Sequence, residues 1–104
     1  MIEALRARLA GLARLGETIA YGDLAREFEI PAPSIATLTA ILETLMEEDA
    51  AAGRPFLAAV MVGRLGDGMP SLGFFEKAVA LDAALISDPI EFVRDQRRAL
   101  REMS

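Results

Sequence analysis

The chain has 104 residues, of which 53% are apolar, 6% aromatic and 26% charged, with 16 acidic against 11 basic side chains and a net charge of −5. That length supports one hydrophobic core, so a single domain over residues 1–104 is expected. Cysteine and histidine are both absent. This excludes disulfides, zinc-thiolate sites and thiol nucleophiles, and it removes the commonest general base together with the commonest transition-metal ligand.

With five Phe and one Tyr as the only aromatics, the core must be built from Leu, Ile, Val, Ala and Met. A chain this small and this apolar leaves hydrophobic surface uncovered, which favours a homodimer. Arginines interrupt the N-terminal "MIEALRARLAGLARLGE" every few residues, unlike the apolar run of a signal peptide. No stretch of about 18 apolar residues is present, so no membrane span is expected and the location expected is cytoplasmic.

Ile2, Leu5, Leu9 and Leu12 mark one face of a first helix over 2–14, ended by Gly16. "TIAYGDLAREF" reads as a strand-like entry followed by a short helix, with Leu24, Ala25 and Phe28 turned inward and Asp23 in the first turn. "PAPS" breaks the chain, and Ser34 is the expected N-cap of a long third helix carrying Ile35, Leu38, Leu42 and Leu45, widened by Ile41 and Met46. Gly53 and Pro55 close it. "FLAAVMV", residues 56–62, reads as a buried strand. Asp67-Gly68 is a preferred hairpin-turn pair, and the second arm around Met69–Leu72 holds Pro70, which confines it to a sheet edge. A fourth helix spans about 74–85. A fifth begins with Asp88 as N-cap, Pro89 at its first position and Glu91 completing a capping box.

Three helices, a β-hairpin and two more helices predict an α+β, mostly helical, winged-helix-like domain. The stretch "TIAYGDLAREFEIP" resembles the T-x-x-Y-G-[DE]-[LV]-A entry of the winged-helix domain in DNA alkyltransferases and alkyltransferase-like proteins, over roughly residues 15–68. The resemblance implies that scaffold alone. In that family an arginine early in the third helix holds open the base stack, whereas "PSIATLTA" here holds no cation. The family's Pro-Cys-His-Arg motif on the next strand is replaced by "FLAAVMV", so the transfer chemistry is not expected.

The candidate nucleic-acid contacts are Ser34, Thr37 and Thr39 on the third helix, Arg64 near the hairpin turn, and Arg94, Arg97, Arg98 and Arg101 on the last helix. Against them stand the acidic Glu43, Glu47 and Glu48 of the third helix, which lacks the Arg, Lys, Asn and Gln that base readout uses. Arg6, Arg8 and Arg14 would add to a basic patch if the first and last helices pack together. The alternative is that Arg94 pairs with Glu91, and Arg98 with Asp95 and Glu102, as ordinary helical neighbours on a solvated face. Met69, Leu72, Phe74 and Phe75 are the candidate interface, as aromatics beside an edge strand.

No metal site is expected, because "EEDA" has no EF-hand spacing. No cofactor is expected either, since "GDGMPSLG" lacks a phosphate-loop lysine, and Ser71 and Lys77 fit no Ser-x-x-Lys pattern. The chain therefore reads as a non-catalytic winged-helix-type binding module of unassigned target. Nucleic acid stays open as that target but is disfavoured by the net charge, and the alternative is a protein-interaction or oligomerisation module.

Overall fold

Apolar residues at three- and four-residue spacing produce the helices they predict. In the computed structural model, which describes residues 1–64, 66–82 and 88–103, α1 spans Ile2–Leu15 and buries Leu5, Leu9, Leu12 and Ala13. Gly16 ends it in the left-handed conformation, with φ 70°. The short strand β1, Ile19–Ala20, runs directly into α2, Tyr21–Glu27, which buries Leu24 and Ala25. The long helix α3, Ser34–Ala51, buries Leu38, Leu42, Leu45, Met46 and Asp49. A 3-10 turn, Leu57–Val60, leads into β2, Met61–Val62. The chain continues as α4, Leu72–Asp82, and α5, Pro89–Glu102. The expected fourth helix extends to residues 83–85, which lie outside the described residues.

This is an α+β architecture, mostly helical, with a two-stranded sheet. Helix α3 packs against α2, α4 and the 3-10 turn, and α1 packs against α5 and the same turn. The turn is thereby enclosed, and Leu57, Ala58, Ala59, Val60 and Met61 are all buried. No helix among the described residues is long and apolar enough to cross a membrane.

Two sequence expectations change here. "FLAAVMV" is buried as predicted but is not one strand, because its first N–H groups are taken by side chains. The Phe56 N–H donates to Gln96 Oε1 (2.7 Å) and the Leu57 N–H to Asp49 Oδ2 (3.1 Å), Leu57–Val60 coil as a 3-10 turn, and Met61–Val62 alone enter a ladder. The ladder partner is also different. β2 pairs in parallel with β1, Ile19 opposite Met61 and Ala20 opposite Val62, and the described residues form no antiparallel hairpin. Residues 63–71 close as a loop through the Gly63 N–H and Met69 carbonyl (2.8 Å). Asp67 Oδ1 accepts the Met69 N–H (3.0 Å), and Asp67 itself has no positive φ, so Asp67-Gly68 does not form the predicted two-residue turn.

Helix ends follow the same logic. Asp88 accepts the Glu91 N–H at 3.2 Å with Pro89 at the first position, as read from sequence. Ser34 is not the N-cap of α3. It is the first helical residue, and Pro33, whose preceding peptide bond is cis, supplies the carbonyl that accepts the Thr37 N–H. α2 ends with the Ile30 N–H on the Ala25 carbonyl and the Glu29 N–H on the Arg26 carbonyl, a six-residue closure that places Glu29 at φ 51°.

The one buried charge, among the described residues, is Asp49, whose side chain is 1% exposed. Oδ1 accepts Arg6 Nη1 (2.7 Å) and the Arg54 guanidinium (3.1 Å to Nη2), while Oδ2 accepts the Leu57 amide. Arg6 also reaches Glu48 at 2.8 Å. Burial works against the Arg6 charge, but the bonds to Asp49 and Glu48 outweigh it and hold its pKa above the usual arginine value.

Two measurements follow. Asp49→Ala strands the Leu57 N–H and two guanidinium groups, and is expected to cost about 2–4 kcal/mol in urea unfolding, whereas Arg54→Ala, at a half-exposed site, costs under about 1 kcal/mol. Glu29→Gly relieves the left-handed backbone and is expected to raise stability by about 0.5–1 kcal/mol in the same assay.

Candidate functional site

The loop segment 66–71 carries Met69, which lines two clefts. Its backbone is held from two directions. At its far end the Tyr21 hydroxyl accepts both the Ser71 N–H (3.2 Å) and the Ser71 hydroxyl (3.1 Å), tying the loop to the start of α2. From α5, Arg97 Nη2 donates to the Gly68 carbonyl (2.8 Å), and Nε donates to the Ala59 carbonyl (2.7 Å). Arg97 Nη2 also reaches the Met61 carbonyl at 3.4 Å. One guanidinium thus joins the 3-10 turn, β2 and the loop.

The larger cleft, about 710 Å³, is mainly apolar. Ala20, Tyr21, Ile35, Val62, Met69, Pro70 and Leu72 form its walls, with Thr39, Arg64 and Asp67 among its polar lining residues. Its rim carries two large apolar side chains in solvent, Leu72 at 73% and Ile35 at 48% exposure. The smaller cleft, about 390 Å³, is lined by Arg94, Arg97, Arg98 and Arg101 together with Glu17, Ala13, Gly16, Val60 and Ile90.

The nucleic-acid candidates are therefore divided. Thr39 and Arg64 stand in the larger cleft and the four α5 arginines in the smaller one, while Ser34 and Thr37 line neither. Arg97 is half-buried on its carbonyls, and burial alone lowers its pKa below the usual arginine value. A guanidinium nonetheless stays charged at neutral pH. Arg98 pairs with Asp95 at 3.4 Å, and Arg101 packs at Gly16, where an added Cβ would lie 3.3 Å from its Nη1. α1 and α5 do pack together, but Arg6 turns to Glu48 and Asp49, and Arg8 to Glu27.

Among the interface candidates, Leu72 is exposed and Met69 half-buried, whereas Phe74 is 4% exposed. Phe74 sits edge-on to Phe56 and Phe75 and tilted to Phe92, so the Phe74–Phe75 pair joins the core instead of offering two free rings. The acidic face of α3 is partly cross-linked. Glu47 bonds Lys77 at 2.7 Å, and that bond chiefly raises the lysine pKa against a smaller effect of burial. No group of carboxylates with metal-ligating geometry occurs among the described residues.

Sequence reading missed Tyr21, Ile35, Ile90 and Glu17 as cleft residues. Ile35 fits the apolar stripe of α3 but falls beyond the core edge, in the first turn. Asp49 carried a usable signal, since it follows Leu38, Leu42 and Leu45 on the buried face at helical spacing.

No protein-family model matches this chain, and neither a curated protein nor a solved structure matches it at a significant level.

Arg97→Ala removes the tie between α5 and the loop. It is expected to cost about 1–3 kcal/mol of stability and to speed amide hydrogen exchange at Gly63 and Met69, while exchange within α1 keeps its wild-type order of protection.

Proposed function

We propose that this chain is a non-catalytic, winged-helix-like binding module that works as a homodimer, joined through the larger cleft. The carrying observation is the cleft itself, an apolar hollow whose rim leaves Leu72 and Ile35 in water. Exposed apolar side chains around a concave apolar surface gain most when a partner covers them.

A second copy is favoured as that partner by the charges at the same rim. Arg64 and Asp67 carry opposite signs, are both exposed, and flank the one hollow. In a two-fold interface every contact occurs twice, so an Arg64–Asp67 pair between copies would form at two places. The order of α1, β1, α2 and α3, with β1 running straight into α2, supports the alkyltransferase-like scaffold reading.

The DNA-reading alternative draws less support. α3 contains no cation, Arg98 is paired with Asp95, and the net charge of −5 opposes a long row of phosphates.

In light-scattering measurements the wild-type chain is expected to give a dimer mass, and Leu72→Asp and Ile35→Asp a folded monomer. Arg64→Asp is expected to weaken the dimer at least about tenfold, with Asp67→Arg in the same chain restoring it, because the swap re-forms both pairs. A wild-type monomer at all concentrations, or a Leu72→Asp chain that stays dimeric, would rule the reading out. Duplex DNA at low salt is expected to leave fluorescence anisotropy unchanged.

A further inference from the structure

The smaller cleft gathers positive charge in a protein whose net charge is −5. Arg94, Arg97, Arg98 and Arg101 follow one another on α5 at spacings of three, one and three residues, which sets all four along one side of the helix. Glu17 is the carboxylate of the lining, Arg98 pairs with Asp95 and Arg101 has an interaction of its own, so the charges that matter here are Arg94 and Arg97. Arg94 and Arg97 are helical neighbours of like charge, and an anion between them offsets that repulsion.

Arg97 sharpens the imbalance. Its Nε and Nη2 bond the carbonyls of Ala59, Met61 and Gly68, dipoles that satisfy N–H groups without neutralising a full charge. Among the described residues no carboxylate pairs with Arg97, and none pairs with Arg94. A half-buried cation without a counter-ion is stabilised by an anion brought to it, and more strongly than an exposed one because less water screens the pair. The remaining wall is apolar, with Val60, Met69 and the exposed Ile90.

We infer that this cleft binds a small phosphate ester, its phosphoryl oxygens held by the Arg94 and Arg97 guanidinium groups and its organic part set against Met69 and Ile90. Planar guanidinium forks match phosphate oxygens, and several of them around one point suit a dianion better than a single carboxylate. A nucleic-acid backbone has the same phosphate chemistry but brings a long row of negative charge, which the overall acidity of the protein opposes. The site can be read apart from self-association, because Met69 is the one residue it shares with the dimer cleft and none of its arginines lines that cleft. It is therefore tested equally well in the Leu72→Asp chain.

Isothermal titration calorimetry at constant ionic strength, with inorganic phosphate and phenyl phosphate as probes, decides the matter. The expected result is saturable binding at one site per chain, with phenyl phosphate tighter than inorganic phosphate. Arg94→Gln, an exposed position with no bond to lose among the described residues, is expected to weaken both probes about tenfold and leave the ligand-free melting temperature unchanged. Ile90→Ser is expected to weaken phenyl phosphate alone. No saturation by about 10 mM of either probe, or wild-type affinity in Arg94→Gln, would overturn the site. Displacement of phenyl phosphate by a short DNA duplex would overturn the assignment to a small ligand.

Discussion

The carboxylate of Asp49 organises this fold. It sits inside, where a bare charge is costly, and it persists because each oxygen is satisfied, one by two guanidinium groups and the other by a backbone amide. Those bonds reach α1 through Arg6, the end of α3 through Arg54 and the 3-10 turn through Leu57. The last has the widest effect. By taking the Leu57 N–H, Asp49 anchors the start of the 3-10 turn that leads into β2, which lies opposite Ile19 and Ala20.

Helical elements were largely legible in the sequence because their signals are local. Leucine spacing located α1 and α3, and the Asp88-Pro89-Glu91 trio located the start of α5. Sheet pairing was not legible, since it depends on which distant side chain occupies each amide. Nothing in "FLAAVMV" announces that Gln96 and Asp49 will bond its first two N–H groups. Nothing in "LGDGMPSLG" announces that Arg97 will hold the Gly68 carbonyl. A turn-forming pair such as Asp67-Gly68 makes a hairpin only if the flanking backbone is free to pair, and here the Gly63 amide closes onto the Met69 carbonyl as a loop.

The candidate site divides along similar lines. Leu72 is legible as an interface residue only through a hairpin arm that the structure replaces with the first residue of α4, and periodicity places its companion Ile35 on the core stripe. Of the adjacent Phe74 and Phe75, helical geometry turns one inward, and that one is Phe74, around which Phe56 and Phe92 build a ring cluster. For the arginines, residue type suggested a uniform basic face. Their actual roles differ because Val93 and Leu100 set the buried side of α5, which turns Arg97 inward and leaves Arg94 outside.

Met69 is a wall common to both hollows, and this has a thermodynamic corollary. Any occupant that selects one rotamer of the thioether changes the shape offered by the other hollow. Linkage then requires reciprocity: if filling one hollow alters affinity in the other by some factor, the second occupant alters the first by that same factor. A flexible, unbranched side chain suits such a position, since its rotamers interconvert with little strain.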